Sequence, residues 1–454
     1  MKYKKYHKFK DSGVDWLGEI PSEWDITRLG NISNITASGI DKKINEDEEK
    51  VKIINFTDIH KAKNFILDNA KEYMLVSTPL ERKNKHQVKK GDLIFTPSSE
   101  TIEDIGISAL VNEELLNTSY SYHVLRCNFT TVVNHEYKKY LTNNTYCLAQ
   151  FSSKARGTTR QTLSRDDFRT LYLSLPPIQE QQQIAKFLDN ATQKMDTLIQ
   201  KQENLIKLLK EKRQAVISHA VTRGLNPDVK FKDSGVEWLG DVPKHWELSK
   251  LRFLFSFSTG LNITKANLID EGIPCVNYGE IHSKYGFEVN ADINALKCVD
   301  KEYLITSKSS LLSQGDFIFA DTSEDVKGAG NFTHIVGNAK VFAGYHTVIA
   351  ILINNYNSRF FAYVFDSDIF RTQIQLFIKG VKVFSITQAI LKNCSIWFPM
   401  IDEQKEIAIY LDDKTQKIDK LIKKATKSIK LLKEKRTALI SAAVTGKIDV
   451  RELN

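Results

Sequence analysis

Two stretches of the chain carry apolar residues at alternating spacings of four and three positions. One follows Leu175-Pro176-Pro177 and the other follows Pro399. This spacing predicts an α-helix whose apolar stripe forms a coiled-coil seam. Each helix would extend over about 40 residues, or roughly 60 Å at ~1.5 Å per residue. The predicted seam residues are Ile184, Leu188, Met195, Leu198, Leu205, Leu209, Ile407, Leu411, Ile418, Leu421, Leu432 and Leu439.

The two predicted helices are expected to pair with each other, because neither could bury its seam alone. A globular segment separates them along the chain, so the pair would be antiparallel, with a pseudo-two-fold relation between the halves. The alternative is that each helix packs on its own domain, but a length of roughly 60 Å exceeds the width of a domain of this size. Lysines on the outer faces are interpreted as solvated surface, with phosphate contacts as the alternative.

The chain also contains a long internal repeat. FKDSGVDWLG at residues 9–18 returns as FKDSGVEWLG at 231–240, and the helical stretch 180–222 is matched by 403–445. The offset stays between 222 and 224 residues, and LLKEKR occurs unchanged in both helices. We call residues 1–222 the first copy and 223–454 the second copy. The two copies match at both ends and differ in the sequence between. This indicates one scaffold that presents two different surfaces; the alternative is a duplication whose halves drifted.

The middles of the two copies contain short apolar runs that predict strands and longer stretches that predict helices. The expected fold class is α+β, with two mixed α/β domains separated by two long antiparallel coiled-coil helices. Predicted strands include 51–56, 93–95, 171–175, 274–278, 317–319 and 347–353, and predicted helices include 136–150 and 358–377. The predicted segments are 1–21, 22–175 (first domain), 176–222 (central helix), 223–398 (repeat segment and second domain) and 399–454 (C-terminal helix).

Composition narrows the class of protein. With 454 residues, 42% of them hydrophobic, the chain has enough apolar surface to exclude wholesale disorder. The longest apolar runs fall short of the ~18 residues of a membrane helix, and no secretory signal follows the basic N-terminus, so we expect a cytoplasmic protein without a membrane partner. Five scattered cysteines without C-x-x-C spacing predict no metal site. The net charge of +9 favours a polyanionic partner.

Two polar loops have the chemistry to contact DNA bases. Arginine matches the O6/N7 edge of guanine, glutamine matches the N6/N7 edge of adenine, and glycine permits close backbone approach. The loops occupy equivalent positions in the two copies, with aligned glycines and different neighbours, although a turn glycine within a solvated charge run is the alternative for either loop alone. The candidate residues are Lys154, Arg156, Gly157, Thr158, Thr159, Arg160 and Gln161 in the first copy, and Lys379, Gly380 and Lys382 in the second.

A second pair of matching loops follows the GD-x-IF strands at 91–95 and 315–319. Their hydroxyl residues are added as candidate DNA contacts. His123 and His346 also occupy equivalent positions, and we interpret them as structural histidines. The added candidates are Ser98, Ser99, Thr322 and Ser323.

Familiar catalytic motifs are missing from the sequence. It has no G-x-x-x-x-G-K-[ST] phosphate loop, no N-P-P-Y-type methyltransferase tetrad, no P-D…E-x-K nuclease core, and neither H-E-x-x-H nor G-x-S-x-G. No catalytic residue is therefore predicted, and the chain is interpreted as a binding protein.

The repeated motifs resemble those of a known family. Each copy opens with F-K-D-S-G-V-[DE]-W-L-G-x-[IV]-P-x-x-W, and an E-Q-x-x-I-A-x-[FY]-L-D-x-x-T-x-K-[IM]-D stretch leads into each helix. Together they resemble the specificity subunit of type I restriction–modification systems over essentially the whole chain. The resemblance implies two target recognition domains, each for one half of a split DNA site, and helices that set the gap between the half-sites. It also implies that the N-terminal segment and the final helix pack near each other.

The same resemblance implies the partners. They are double-stranded DNA, two methyltransferase (modification) subunits that dock on the helices, and restriction/translocase subunits. S-adenosylmethionine, ATP and Mg²⁺ would be used by these partner subunits, with no cofactor bound by this chain and no catalytic residue of its own. The alternatives are a duplicated coiled-coil adaptor that binds only proteins, and a fused enzyme with an unrecognised nuclease or methyltransferase site.

Overall fold

The computed structural model describes residues 3–380 and 382–453 and divides into two compact units. The first unit contains Met1–Gln202 with Lys427–Asn454, and the second contains Glu203–Thr426. Each unit thus holds one mixed α/β domain together with a part of each long helix. The predicted fold class is confirmed. Along the described chain, no helix has the length and apolar character needed to cross a membrane.

The first unit is built on a five-stranded sheet in the order β4-β12-β8-β10-β6 and a three-stranded sheet in the order β11-β5-β7. Its strands are β1 (Phe9–Asp11), β2 (Glu19–Pro21), β3 (Asp25–Arg28), β4 (Ser33–Thr36), β5 (Glu49–Ile54), β6 (Ile66–Leu67), β7 (Met74–Thr78), β8 (Leu93–Phe95), β9 (Ser98–Ser99), β10 (Ser108–Val111), β11 (Thr118–Tyr120), β12 (Leu125–Phe129), β13 (Gln161–Thr162) and β14 (Tyr172–Leu175). Its helices are α1 (Leu29–Ile32), α2 (Phe56–His60), α3 (Leu80–Lys85), α4 (Lys138–Leu141), α5 (Thr145–Lys154), α6 (Arg165–Arg169) and the start of α7 (Ile178–Arg223), with a 3₁₀ turn at Lys63–Phe65.

The second unit repeats this plan, with sheets in the orders β18-β27-β23-β25-β20 and β21-β19-β26-β22. Its strands are β15 (Phe231–Asp233), β16 (Asp241–Pro243), β17 (Glu247–Lys250), β18 (Phe255–Thr259), β19 (Ile273–Val276), β20 (Glu288–Asn290), β21 (Cys298–Val299), β22 (Leu311–Leu312), β23 (Phe317–Ala320), β24 (Thr322–Ser323), β25 (Phe332–Val336), β26 (Val341–Ala343), β27 (Thr347–Leu352), β28 (Phe384–Ser385) and β29 (Ser395–Phe398). Its helices are the end of α7, α8 (Leu251–Leu254), α9 (Tyr278–Ser283), α10 (Tyr303–Thr306), α11 (Ser358–Asp366), α12 (Asp368–Phe377), α13 (Gln388–Asn393) and the start of α14 (Ile401–Val444), with 3₁₀ turns at Lys265–Asn267 and Lys308–Ser310.

The central strands of both five-stranded sheets are buried. β8 is formed by Leu93–Phe95 and β23 by Phe317–Ala320, and every residue of both strands is fully buried. Helix residues such as Phe151 and Phe168 pack on one face of β8, and its other face, at Ile94, lies in a core with residues of the second sheet such as Ile54 and Tyr120. Burial on both faces explains why the central strands appear in the sequence as short apolar runs without alternation.

The predicted helices 136–150 and 358–377 are each broken in two. Asn144 separates α4 from α5, and its side chain accepts hydrogen bonds from the backbone N–H groups at the start of α5. Ser367 separates α11 from α12 and caps α12 in the same way. A short polar side chain that caps a new helix competes with continuation of the old one, so two shorter helices replace the predicted single ones.

α7 and α14 pack against each other within each unit. In the first unit Ile184 and Leu188 share a hydrophobic core with Leu439. In the second unit Ile217 shares a core with Ile407. Early residues of one helix thus meet late residues of the other, so the helices are antiparallel, as predicted.

The apolar seam of α7 departs from the predicted positions after Met195. Leu198 and Leu205 are 48% and 42% exposed, whereas Ile199 is buried and Ile206 half-buried. The buried stripe advances with a mean spacing of about 3.6 residues, the period of a straight helix, and not the 3.5 of a supercoiled seam. In α14 the same difference leaves Leu421 exposed. The other predicted seam residues, Ile184, Leu188, Met195, Leu209, Ile407, Leu411, Ile418, Leu432 and Leu439, are buried or half-buried.

The N-terminal segment lies beside the end of α14 within the first unit. Lys4 and Asp449 form an isolated antiparallel bridge. Tyr6 is buried, and its hydroxyl donates to Glu180 at the start of α7. This contact agrees with the expectation from the family resemblance.

Candidate functional site

The first candidate loop closes as a tight hairpin. Backbone hydrogen bonds join Arg156 and Thr162 in both directions, at 3.1 and 2.8 Å. Gly157 adopts φ +124°, and a Cβ at this position would lie 2.2 Å from the carbonyl oxygen of Arg160. Only glycine fits so close an approach. Since β13 then pairs antiparallel with β9, the backbone itself determines the shape of the loop.

Arg160 connects this loop to the rest of its domain. Its Nε donates to the Ser98 hydroxyl at 3.2 Å, and its guanidinium lies 6.0 Å from the centre of the Phe56 ring. Gln161 Nε2 donates to the Gly157 carbonyl at 2.8 Å. The loop therefore presents one cation, Arg160, that is held against the domain, together with other exposed polar side chains. These are Arg156 at the base of the hairpin, and Thr158 and Thr159 in its turn.

Some candidate residues have their polar groups directed toward the protein. Lys154 Nζ donates to Thr170 Oγ1 at 2.7 Å, which holds it against the end of α6. Ser99 is buried, and its hydroxyl accepts from the Thr101 N–H at 3.3 Å. Its counterpart Ser323 is also buried. These hydroxyls support the strand ends and do not face solvent.

The second candidate loop has the same backbone form. Lys379 bridges Ser385, and β28 pairs antiparallel with β24. Gly380 adopts φ +150°, and a Cβ there would lie 2.1 Å from the Val383 carbonyl oxygen. Lys379, Gly380 and Lys382 are exposed, while residue 381 lies outside the described residues. The aligned glycines therefore permit the same close backbone turn in both copies.

The two sites differ where the side chains meet the domain. The position of Arg160 is taken by Val383, and that of Phe56 by Tyr278. No arginine lies over Tyr278 among the described residues, and a cavity of about 610 Å³ opens beside it. Its polar lining residues include His282, Thr322, Glu324, Lys327 and Asn331.

A hydrogen-bonded chain supports this cavity from behind. His282 Nε2 donates to the Thr322 carbonyl at 2.8 Å, and its Nδ1 accepts from Asn331 Nδ2 at 2.8 Å. Arg371 Nη1 donates to Asn331 Oδ1 at 2.7 Å, and its Nη2 lies 3.8 Å from Asp366. Burial raises the pKa of the Asp366 carboxyl, while the neighbouring arginines oppose that rise.

The paired histidines at 123 and 346 lie near these sites. The His123 ring is 3.7 Å from the ring of Tyr122, and burial lowers its pKa. His346 adopts φ +55°, and its Nδ1 lies 3.4 Å from Asp321. They remain interpreted as structural residues.

Sequence reasoning missed His282, Asn331 and Arg371. They lie far apart along the chain, on α9, in the turn before β25 and on α12. One signal in the sequence was available. The internal repeat aligns Phe56 with Tyr278, and this aromatic position marks the place of the site in both domains.

The described residues contain no group of three or more His, Cys, Asp or Glu side chains placed to hold a metal ion. The five cysteines are buried and unpaired. Burial raises the pKa of the Cys127 thiol to about 12, which disfavours the nucleophilic thiolate form.

Comparison with known proteins agrees with this architecture. The family described as type I restriction modification DNA specificity domain matches residues 21–208 and 243–431. The type I restriction enzyme MjaVIII specificity subunit of Methanocaldococcus jannaschii is 23% identical over 305 residues, covering 66% of this chain and 68% of the relative. The MjaX specificity subunit of the same organism is 25% identical over 468 residues, covering 99% of both chains.

A solved chain from work on complex assembly and conformational transition of the type I R-M system has a similar fold. The TM-score is 0.68 at 15% identity, covering 94% of this chain and 98% of that chain. The two matched regions of the family account for most of the sequence, one in each copy of the repeat. The chain belongs to the type I restriction–modification DNA specificity family and is a specificity subunit with two copies of the domain.

Proposed function

We propose that each domain recognises one half of a split DNA target and that the helix pair sets the gap between the halves. The observation that carries this proposal is the pair of recognition loops. Gly157 and Gly380 close the same backbone turn on the same strand pairing, while the side chains around them differ. A shared frame that presents different donors and acceptors suits two different base sequences.

The exposed side chains divide by their chemistry. Arg156 and Arg160 have planar guanidinium groups that can donate two parallel hydrogen bonds to guanine O6 and N7. Lys379 and Lys382 are exposed ammonium groups that suit phosphate oxygens, which bind without regard to sequence. The first loop is thus the stronger candidate for base contacts. In the second domain, the candidates for base contacts are the polar side chains that line the cavity beside Tyr278.

The helix pair also exposes equivalent leucines in the two units, which partners could contact. Leu198 and Leu431 are exposed on the helices of the first unit, and Leu208 and Leu421 on those of the second. Leu198 is equivalent to Leu421, and Leu208 to Leu431, at the repeat offset of 223. Two identical partners would therefore find the same surface twice. We assign these surfaces to the two methyltransferase subunits expected in a type I complex.

The chemistry of the complex then resides in the partner subunits. The methyltransferase subunits would use S-adenosylmethionine, and restriction/translocase subunits would use ATP and Mg²⁺. This chain would supply no catalytic group and would act in the cytoplasm, where the DNA is.

The test is to map methylated sites across the genome of cells that express this chain with its methyltransferase subunits. The expected result is one asymmetric consensus of two short half-sites separated by a fixed number of unspecified base pairs. Methylation without a gapped consensus would contradict the proposal. Binding of the complex to all DNA sequences alike would favour the adaptor alternative.

A further inference from the structure

The arginine at the end of the LLKEKR sequence has an unusual environment in both long helices. Arg213 lies on α7 and Arg436 on α14, at equivalent positions of the repeat. Their side chains are only 17% and 16% exposed, although the neighbouring Lys212 and Lys435 are exposed. Because a charge withdrawn from water is costly unless it is paired, the contacts of these two arginines explain their placement.

In the first unit Arg436 contacts both helices and the recognition domain. Its Nε lies 3.1 Å from Asp196 Oδ1 on α7. Its guanidinium carbon lies 5.3 Å from the centre of the Phe65 ring, and its Nη2 donates to Asn64 Oδ1 at 3.1 Å. One flat cation therefore joins three parts of the unit through an ion pair, a ring face and a hydrogen bond.

Arg213 makes the equivalent contacts in the second unit. Its Nε lies 3.3 Å from Asp419 Oδ1 on α14, and its guanidinium carbon lies 5.8 Å from the Phe287 ring. Its Nη1 donates to Asp366 at 2.8 Å, in place of the asparagine contact. Asp419 and Phe287 are the repeat equivalents of Asp196 and Phe65, so the same geometry occurs twice with different surrounding sequences.

Each arginine belongs to the opposite copy from the domain that it contacts. Arg436 follows the second domain in the chain but lies on the first, and Arg213 follows the first domain but lies on the second. The helix that directly follows each domain in the chain is contacted by a tyrosine of that domain. Tyr140 donates to Asp189 on α7 at 2.6 Å, and Tyr363 donates to Asp412 on α14 at 2.7 Å. Each domain also bonds the second helix near that helix's end, through Thr145 and Ser441 in the first unit and through Trp397 and Val221 in the second. The arginine adds a contact further from that end, and two separated contacts on the second helix oppose rotation of the domain more strongly than one.

We propose that Arg213 and Arg436 are positioning residues that fix the direction in which each recognition domain faces from the helix pair, and thereby the length of the gap in the DNA target. This inference rests on the proposed function, because a gap has meaning only for a two-part target. We call Arg213 and Arg436 the cross-copy arginines.

The test compares the double variant Arg213→Gln/Arg436→Gln with the matched control Lys212→Gln/Lys435→Gln, which removes the same charge one residue away. Each is expressed with methyltransferase subunits, and genomic methylation is sorted by half-site sequence and by gap length. In the arginine variant, methylation of sites with a gap one base pair longer or shorter should rise about tenfold relative to the original gap, because a desolvated cation–π contact is lost at each domain. Both half-site sequences should stay unchanged, and the control should keep the single gap.

A general loss of methylation with the original gap unchanged would show that the arginines only stabilise the fold, and would overturn the proposal. The second variant, Arg213→Lys/Arg436→Lys, keeps the charge opposite the aspartates and loses the flat guanidinium. It should also broaden the gap, and a single gap here would overturn the proposal even if the glutamine variant fails to fold. Absence of any gapped consensus for the wild-type complex would instead be the failure of the proposed function.

Discussion

The two recognition domains share some of the buried contacts that join their elements and differ in the groups at the recognition site. In the first, Gln150 exchanges two hydrogen bonds with the backbone of Tyr172, and in the second Gln373 does the same with Ser395. At the recognition site, by contrast, Arg160 lies over an aromatic ring in the first domain, whereas the second domain has an open cavity beside Tyr278. The comparison teaches that this frame retains the contacts that hold the loop in place while the groups it presents are exchanged.

The support behind each site differs as well. Asn143 in the first domain is neutral, and its amide bonds both the N–H and the carbonyl of Ser108. Its equivalent in the second domain is Asp366, which pairs with Arg213 and lies near Arg371. The position behind the site therefore holds a neutral amide in the first domain and an ion-paired carboxylate in the second, and this difference can be tested.

The largest effect is expected from Asp366→Ala. Removing this carboxylate takes the closest charged partner from two largely buried arginines, which leaves Arg213 with Asp419 and Arg371 with the neutral Asn331 and should cost about 3–5 kcal/mol of local stability. Amide hydrogen exchange should show the loss in α11 and α12 and not in α4 and α5 of the first unit. The matched variant Asn143→Ala should lower protection in the first unit by a smaller amount, about 1–3 kcal/mol. Equal losses in both units for either variant would contradict the comparison.

His334 should add a pH dependence to the stability of the second unit that the first unit lacks at the equivalent position. His334 is buried, and burial lowers its pKa to about 4, whereas the equivalent position in the first domain is Leu110. The unfolded chain binds this proton near pH ~6.5 and the folded chain only near pH 4, so stability falls as pH decreases between these values. The loss in the second unit should approach about 3 kcal/mol at pH 4. Hydrogen exchange measured across this range, with His334→Leu as the control that removes the titration, checks the assignment.

A smaller effect is expected on base choice from Arg160→Ala. Loss of a bidentate contact should cost about 1–3 kcal/mol of discrimination and relax one half-site only. The measurement is the methylation consensus of the complex, read separately for each half-site. Val383→Ala, at the equivalent position, is the control and should leave the first half-site unchanged. Relaxation of both half-sites by Arg160→Ala would argue against one domain per half-site.

The smallest effect is expected from His282→Ala. The change removes the hydrogen bond to the Thr322 carbonyl and the partner of Asn331, a loss of about 1 kcal/mol. It should weaken discrimination at the second half-site alone. The equivalent His60 stacks on Phe56 at 5.6 Å without such a chain, so His60→Ala should change discrimination less. A larger effect from His60→Ala would reverse the proposed difference between the two supports.

The sequence predicted the features that recur at fixed spacing and missed those that arise only in three dimensions. The repeat identified the two domains, the antiparallel helices and the aligned glycines, because each leaves a pattern along the chain. The seam of α7 was displaced by one position, since Leu198 and Ile199 are adjacent apolar residues and periodicity alone does not choose between them. The series of bonded side chains that connects His282 to Asp366 leaves no pattern in the sequence, because its members come from separate helices and turns. The roles of the arginines in LLKEKR were also hidden, since an unchanged motif does not say which domain it touches.

The glycine turns at 157 and 380 have a consequence for how such a protein acquires new targets. Because backbone hydrogen bonds and a glycine close each turn, exposed side chains such as those of Thr158 and Lys382 are free to change one at a time without first requiring a new loop shape. Under the proposed function, a single substitution at such a position can alter base preference while the turn stays closed. The two positions that a side chain would block are the ones where variation should be absent, which makes them the anchors of an otherwise adaptable surface.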